Sequence, residues 1–131
     1  MDENEVRRWF AEYLEVFEAC GRGEREDRAL LGYYGVPLLA TTDDGFLTLT
    51  TEEQVVAVAQ QQIDGMRAAG YERTDVLASH VTVLNATSAL FEGTFSRRRA
   101  DGEEISRLTV TYLVTDGPVG PRISALALHG A

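Results

Sequence analysis

Between Ser88 and Thr115 the chain reads as two alternating arms about the pair Asp101-Gly102. With those two residues as the loop of a hairpin, Phe95 opposes Leu108, Gly93 opposes Val110, Phe91 opposes Tyr112 and Ala89 opposes Val114. The intervening pairs are Ser96 with Arg107, Thr94 with Thr109 and Glu92 with Thr111. One face is then wholly apolar and aromatic, and the other is mostly polar. Side chains alternate with period two along a strand, so a one-residue slip would mix the two sets. Their separation fixes the register and leaves a greasy sheet face that the rest of the chain must cover. It also sets Arg97, Arg98 and Arg99 at an exposed tip near Glu103 and Glu104, where charges keep a hairpin end soluble.

The cover comes from upstream. Over residues 5–20, Val6, Trp9, Phe10, Tyr13, Leu14, Val16, Phe17 and Cys20 fall within one arc of a helix, and Gly21 and Gly23 stop it. Tyr13 therefore points inward. A second, shorter helix is expected from about Glu24 to Tyr34, ended by Gly35 and Pro37. PLLATTDDGFLTLT reads as a hairpin about Asp44-Gly45. The longest helix is expected near Glu52 to Ala69, with Thr51 and Gln54 in capping-box spacing, Val55, Val56, Ala59, Ile63 and Met66 as its buried stripe, and Gly70 as its C-terminal cap. Four strands follow, near Arg73–Leu84, Ser88–Arg98, Glu104–Thr115 and Arg122–His129. Helices gathered on one face of an antiparallel sheet make an α+β domain, and 131 residues make one such domain, residues 1–131.

Composition narrows the partners. A net charge of -9 repels phosphate backbones and anionic membranes, so neither nucleic acid nor a membrane is expected. No apolar run reaches the ~20 residues a bilayer crossing needs, and MDENEVRR lacks the pattern of a secretory leader. The single Cys20 precludes an internal disulfide and fits a reducing cytoplasm. Two histidines, His80 and His129, without matched carboxylates make no metal site. Nothing resembles a phosphate-binding glycine loop, since the glycines fall at turns and caps, and no cofactor is expected.

The order of elements, with Tyr13 in AEYLEVF, Tyr34-Gly35 closing the second helix and LTVTYLVTDG…RI near the end, resembles the nuclear transport factor 2-like superfamily, in its SnoaL-like and ketosteroid-isomerase-like branches. The resemblance spans about Glu5 to His129. It implies a curved sheet wrapped around the long helix, about three N-terminal helices with an inserted hairpin, and a conical cavity. Such families include isomerases, dehydratases, epoxide hydrolases, cyclases and non-catalytic dimerising modules, so fold does not select function. In the isomerase pattern a first-helix tyrosine polarises a carbonyl, and Tyr13 matches it. The general-base aspartate of that pattern falls on Thr42, one residue before Asp43, and no carboxylate lies between Glu104 and Asp116 to supply the second donor. An Asp-Arg-Asp relay of the epoxide-hydrolase kind is not expected either.

These readings predict a pocket for a small hydrophobic ligand lined by Tyr13, Phe17, Phe46, Phe91, Phe95, Val110 and Tyr112. Tyr13, Tyr112 and His80 are the candidate catalytic groups. Asp43 and Asp44 are expected to form a turn. Isomerase, dehydratase or cyclase chemistry through tyrosine donors is one alternative. An acyl-chain carrier without turnover, and a dimerising module with a filled cavity, are the others. In ISALALHG, Ile123, Ala125 and Ala127 alternate with Leu126 and Leu128, so both faces are apolar and a homodimer through the sheet is predicted.

Overall fold

The computed structural model describes residues Met1–His129. Helix α1, Glu3–Gly21, is followed by a 3-10 helix, Asp27–Gly32, and by strands β1, Tyr34–Thr42, and β2, Gly45–Leu49. Helix α2, Glu52–Ala68, precedes β3, Tyr71–Asn85, β4, Ser88–Arg99, β5, Glu104–Gly117, and β6, Gly120–Leu128. Asp2 caps α1 by accepting from the Glu5 amide at 2.8 Å. The expected capping box of α2 is formed in both directions between Thr51 and Gln54. Gly70 takes φ +83 just past its end, as a left-handed helix terminator should. Among the described residues no helix is long and apolar enough to cross a membrane.

The six strands form one curved sheet in the order β2-β1-β6-β5-β4-β3. All neighbours are antiparallel except β1 and β6, which run parallel. The sheet is thus mixed, because the β1–β2 hairpin docks beside the last strand and extends the meander. The fold is α+β, with helices packed against the concave side of the sheet. Every predicted pair of the β4–β5 hairpin is present, from Ala89 opposite Val114 to Ser96 opposite Arg107.

Three expectations need correction. The second helix is a single short 3-10 element that ends before Tyr34, which opens β1 instead. The β1–β2 turn is Asp43-Asp44, since Thr42 pairs with Gly45. On β3, alternation predicts Leu77, Ser79, Val81 and Val83 on the interior face, but Leu77 and Val83 are 44% and 43% exposed and of that face only Val81 is buried. β3 is an edge strand with a bulge between Val76 and Ala78, and α1 covers only part of its length.

Phe10 is the centre of the core. Its ring stacks on Phe91 with centroids 3.8 Å apart and meets Tyr13 and Tyr112 edge-on at 5.2 and 5.0 Å. Burying one such side chain contributes about 1.5–3 kcal/mol, and each aromatic contact adds roughly 0.5–1.5 kcal/mol. This cluster pins α1 onto β4 and β5 and sets the floor of the space beside it.

Candidate functional site

Two adjacent rows of residues across the sheet explain what faces inward. The inner row runs Leu47, Ala40, Leu126, Tyr112, Phe91, Val81. The next row runs Phe46, Thr41, Ala127, Thr111, Glu92, His80, and points the other way. Between the inner row, α1 and α2 lies a cavity of about 350 Å³. Tyr13, Phe17, Phe95, Val110 and Tyr112 line it, as the sequence predicts.

Phe46 does not: it is 71% exposed on the outer face. In FLTLT, Leu47 and Leu49 alternate inward while Phe46 falls in phase with the threonines, and Leu47 lines the cavity in its place. Phe91 lies on the inner face but beneath Phe10, which covers it, so Phe10 is the lining residue and Phe91 is core. His80 is exposed in the outer row and does not reach the cavity. His129 is also outside, with Nε2 2.7 Å from the Thr111 hydroxyl.

At the floor, the Tyr13 and Tyr34 hydroxyls are hydrogen-bonded at 2.7 Å and buried. Tyr112 completes the group, its ring centroid 6.2 Å from that of Tyr13. Burial pushes all three phenols above their ordinary range; for Tyr13 the neighbouring phenols Tyr34 and Tyr112 add to the effect. They stay protonated and act as donors, not bases. Each hydroxyl carries one proton, and a bond between two of them uses only one. The Tyr13–Tyr34 pair therefore keeps one proton to give to a ligand or to Tyr112. Tyr34 is not among the pocket residues the sequence predicts, because a helix end is expected there; as the first residue of β1 it turns inward opposite Ile123.

No Asp, Glu or His lines the cavity among the described residues. Thr42, the position where the isomerase pattern would put its base, does line it, while Asp43 sits in the hairpin turn. A carboxylate–arginine–carboxylate trio exists outside the cavity: Arg98 Nε is 2.9 Å from Asp75 and its Nη2 is 4.0 Å from Glu104. It lies on the face away from the cavity, where Glu104 also accepts from Ser96 and Arg107. It cross-links three strands and has no access to the cavity. No group of three or more His, Cys, Asp or Glu among the described residues could hold a metal.

One lining residue contradicts its predicted place. Arg97 was expected at the solvated tip with its two neighbours, yet it follows Phe91, Gly93 and Phe95 in the period-two alternation and lines the cavity, its guanidinium carbon 5.6 Å from the Phe17 ring centroid. Arg98 and Arg99 do lie near Glu104 and Glu103, as expected.

Comparison with known proteins agrees with this architecture. Comparison with curated proteins returns no significant match. Among solved structures, a domain of unknown function with a cystatin-like fold from Nostoc punctiforme has a TM-score of 0.71 at 20% identity, covering 98% of this chain and 76% of the other. A putative calcium/calmodulin dependent protein kinase II association domain from Xanthomonas campestris has a TM-score of 0.71 at 12% identity, covering 100% and 89%. An NTF-2 like protein of unknown function from Shewanella oneidensis has a TM-score of 0.70 at 16% identity, covering 95% and 99%. At these identities the likeness is one of fold. The family model described as NTF2-like protein (DUF6841) matches residues 2–131, and the chain belongs to that family.

Proposed function

We propose that this chain is an NTF2-like, SnoaL-like domain that binds a small hydrophobic ligand in its conical cavity, with buried phenols as hydrogen-bond donors. The observation that carries the reading is the 350 Å³ space floored by the Tyr13–Tyr34 pair, in the size range of small-molecule sites. A cavity of this kind argues against a module whose interior is filled by its own side chains. Polarisation of a carbonyl by a phenol is within reach of this floor. Proton abstraction is not, because no carboxylate or imidazole among the described residues lines the space to receive the proton. Binding is therefore favoured over isomerase chemistry.

The test uses the single tryptophan as reporter. Trp9 is stacked 6.4 Å from Tyr13, so an occupant of the floor should alter its emission. Titration with the neutral ketone 2-acetylnaphthalene is expected to give saturable quenching, and Tyr13→Phe to weaken it on the order of tenfold. Absence of saturable binding would overturn the pocket reading; equal affinity in both proteins would reduce Tyr13 to packing.

We also propose a homodimer through the outer face of the sheet. Leu39, Ala125, Leu113 and Leu90 form a continuous apolar row there, flanked by Thr48 and Thr82. Phe46 and Leu39 stand 71% and 40% exposed on that same face.

A further inference from the structure

Three consecutive arginines on β4 meet three different fates. Arg98 lies 2.9 Å from Asp75, and Arg99 lies 3.2 Å from Glu103 and donates to the Ala69 carbonyl at 2.7 Å. Arg97 faces the cavity, half-buried, and among the described residues it makes neither an ion pair nor a side-chain hydrogen bond. Acids are abundant, with 21 Asp and Glu against 12 Lys and Arg, so a partner was available in composition. Glu18, near the end of α1, accepts from the Thr74 amide at 2.9 Å and makes no ion pair with Arg97. Thr74 is the cross-strand neighbour of Arg97 and lines the same cavity. The contact with Phe17 satisfies the face of the guanidinium. It leaves the in-plane N–H donors, which suit a planar or tetrahedral oxyanion, without a protein acceptor.

Exposure is graded along this space. Tyr13, Tyr34 and Tyr112 are buried, Arg97 and Thr74 are half-buried, and Gln61, Gln62 and Leu47 are exposed. A ligand whose apolar part lies on the aromatic floor would thus carry its head past Arg97. The arginine's positive charge reaches Tyr13, Tyr34, Tyr71 and Tyr112, in each case opposing the upward push of burial.

We infer that the occupant is an amphipathic anion, an apolar body with a single oxyanion head, and that Arg97 is the group that anchors the head. This inference rests on the pocket reading above and adds to it the chemical class of the ligand. A carboxylate and a phosphate monoester share the chemistry that Arg97 would recognise. Against the acidic field of the whole chain, only a local cation of this kind makes an anionic ligand favourable.

The experiment compares octanoate, octyl phosphate and the neutral octanol by calorimetry on wild type, Arg97→Gln and Arg97→Lys. In wild type one of the two anions should bind about 10–100-fold more tightly than octanol. Which anion leads identifies the head. Arg97→Gln should collapse that preference to under about threefold while leaving octanol affinity nearly unchanged, and Arg97→Lys should retain part of it. Retained octanol binding also certifies that the variants fold. If octanol equals both anions in wild type, or if the preference survives Arg97→Gln, the anchor is refuted while the pocket stands. If none of the three binds wild type, both the pocket and the anchor fall.

Discussion

Tyr13 and Tyr34 share one buried hydrogen bond, and that coupling has a thermodynamic signature. Tyr13→Phe leaves the Tyr34 hydroxyl without its partner and should destabilise the fold by about 1–3 kcal/mol in urea denaturation. The Tyr13→Phe/Tyr34→Phe double variant should lose less than the sum of the single losses, because no orphaned hydroxyl remains. Strict additivity would mean the bond contributes nothing. The same burial makes a pH prediction. Tyr13, Tyr34, Tyr71 and Tyr112 all have folded values above the ordinary phenol value of 10.0, with desolvation as the leading cause, and Tyr71 is pushed up to about 12. A group raised on folding stabilises the native state fully below its unfolded value and loses that contribution as pH climbs through the folded one. Stability should hold to about pH 9 and fall above about pH 10, with the tyrosinate absorbance of these four groups at 295 nm rising only as near-UV circular dichroism is lost. Four tyrosinates in a protein that still has native dichroism would contradict this.

At the scale of elements, β4 is the strand on which the site depends. The Phe95 ring lies across Gly93 on the same face, so a Cβ at position 93 would run into it. Phe95 is itself buried beside Phe10 and Tyr112 and has little room to move. Gly93→Ala should therefore cost about 1–3 kcal/mol as overpacking and reduce ligand capacity by shifting the ring into the cavity. A neutral effect on both would mean that the ring swings aside freely. Helix α2 offers a simpler case. Thr51→Ala removes one half of its capping box and should cost about 0.5–2 kcal/mol, read as a lower urea midpoint with an unchanged slope. The hairpin β4–β5 was legible in detail because both its faces carry strong and opposite patterns. The β1–β2 hairpin was read one residue late, since Asp-Gly is the stronger turn signal and the Asp43-Asp44 turn uses Gly45 to start the return strand.

For the whole molecule, the outer face of the sheet sets the assembly prediction. Light scattering at micromolar concentration should give about twice the 14.4 kDa chain mass, and Leu113→Asp, in the middle of the apolar row, should return it to one chain. A clean monomer in the wild type would overturn the dimer. The cavity face was partly legible: five of its residues followed from the β4–β5 register and the arc of α1. Phe46 and Phe91 were misplaced for different reasons. Phe46 is in phase with Thr48 and Thr50 on the outer face, whereas Phe91 has the inward phase but lies under a helix residue, which strand periodicity does not reveal.

Period and spacing along the chain were enough to determine the two long helices, the four strands of the meander, the inward sense of Tyr13 and the pairing of the central hairpin, because these depend on side-chain alternation and local turn chemistry. Only the tertiary structure decided that β1 lies parallel to β6, that Phe10 seals Phe91, that Tyr34 meets Tyr13, and that Arg97 faces a cavity without an ion pair among the described residues. Those facts depend on which distant segments meet, and long-range packing leaves no period in the sequence.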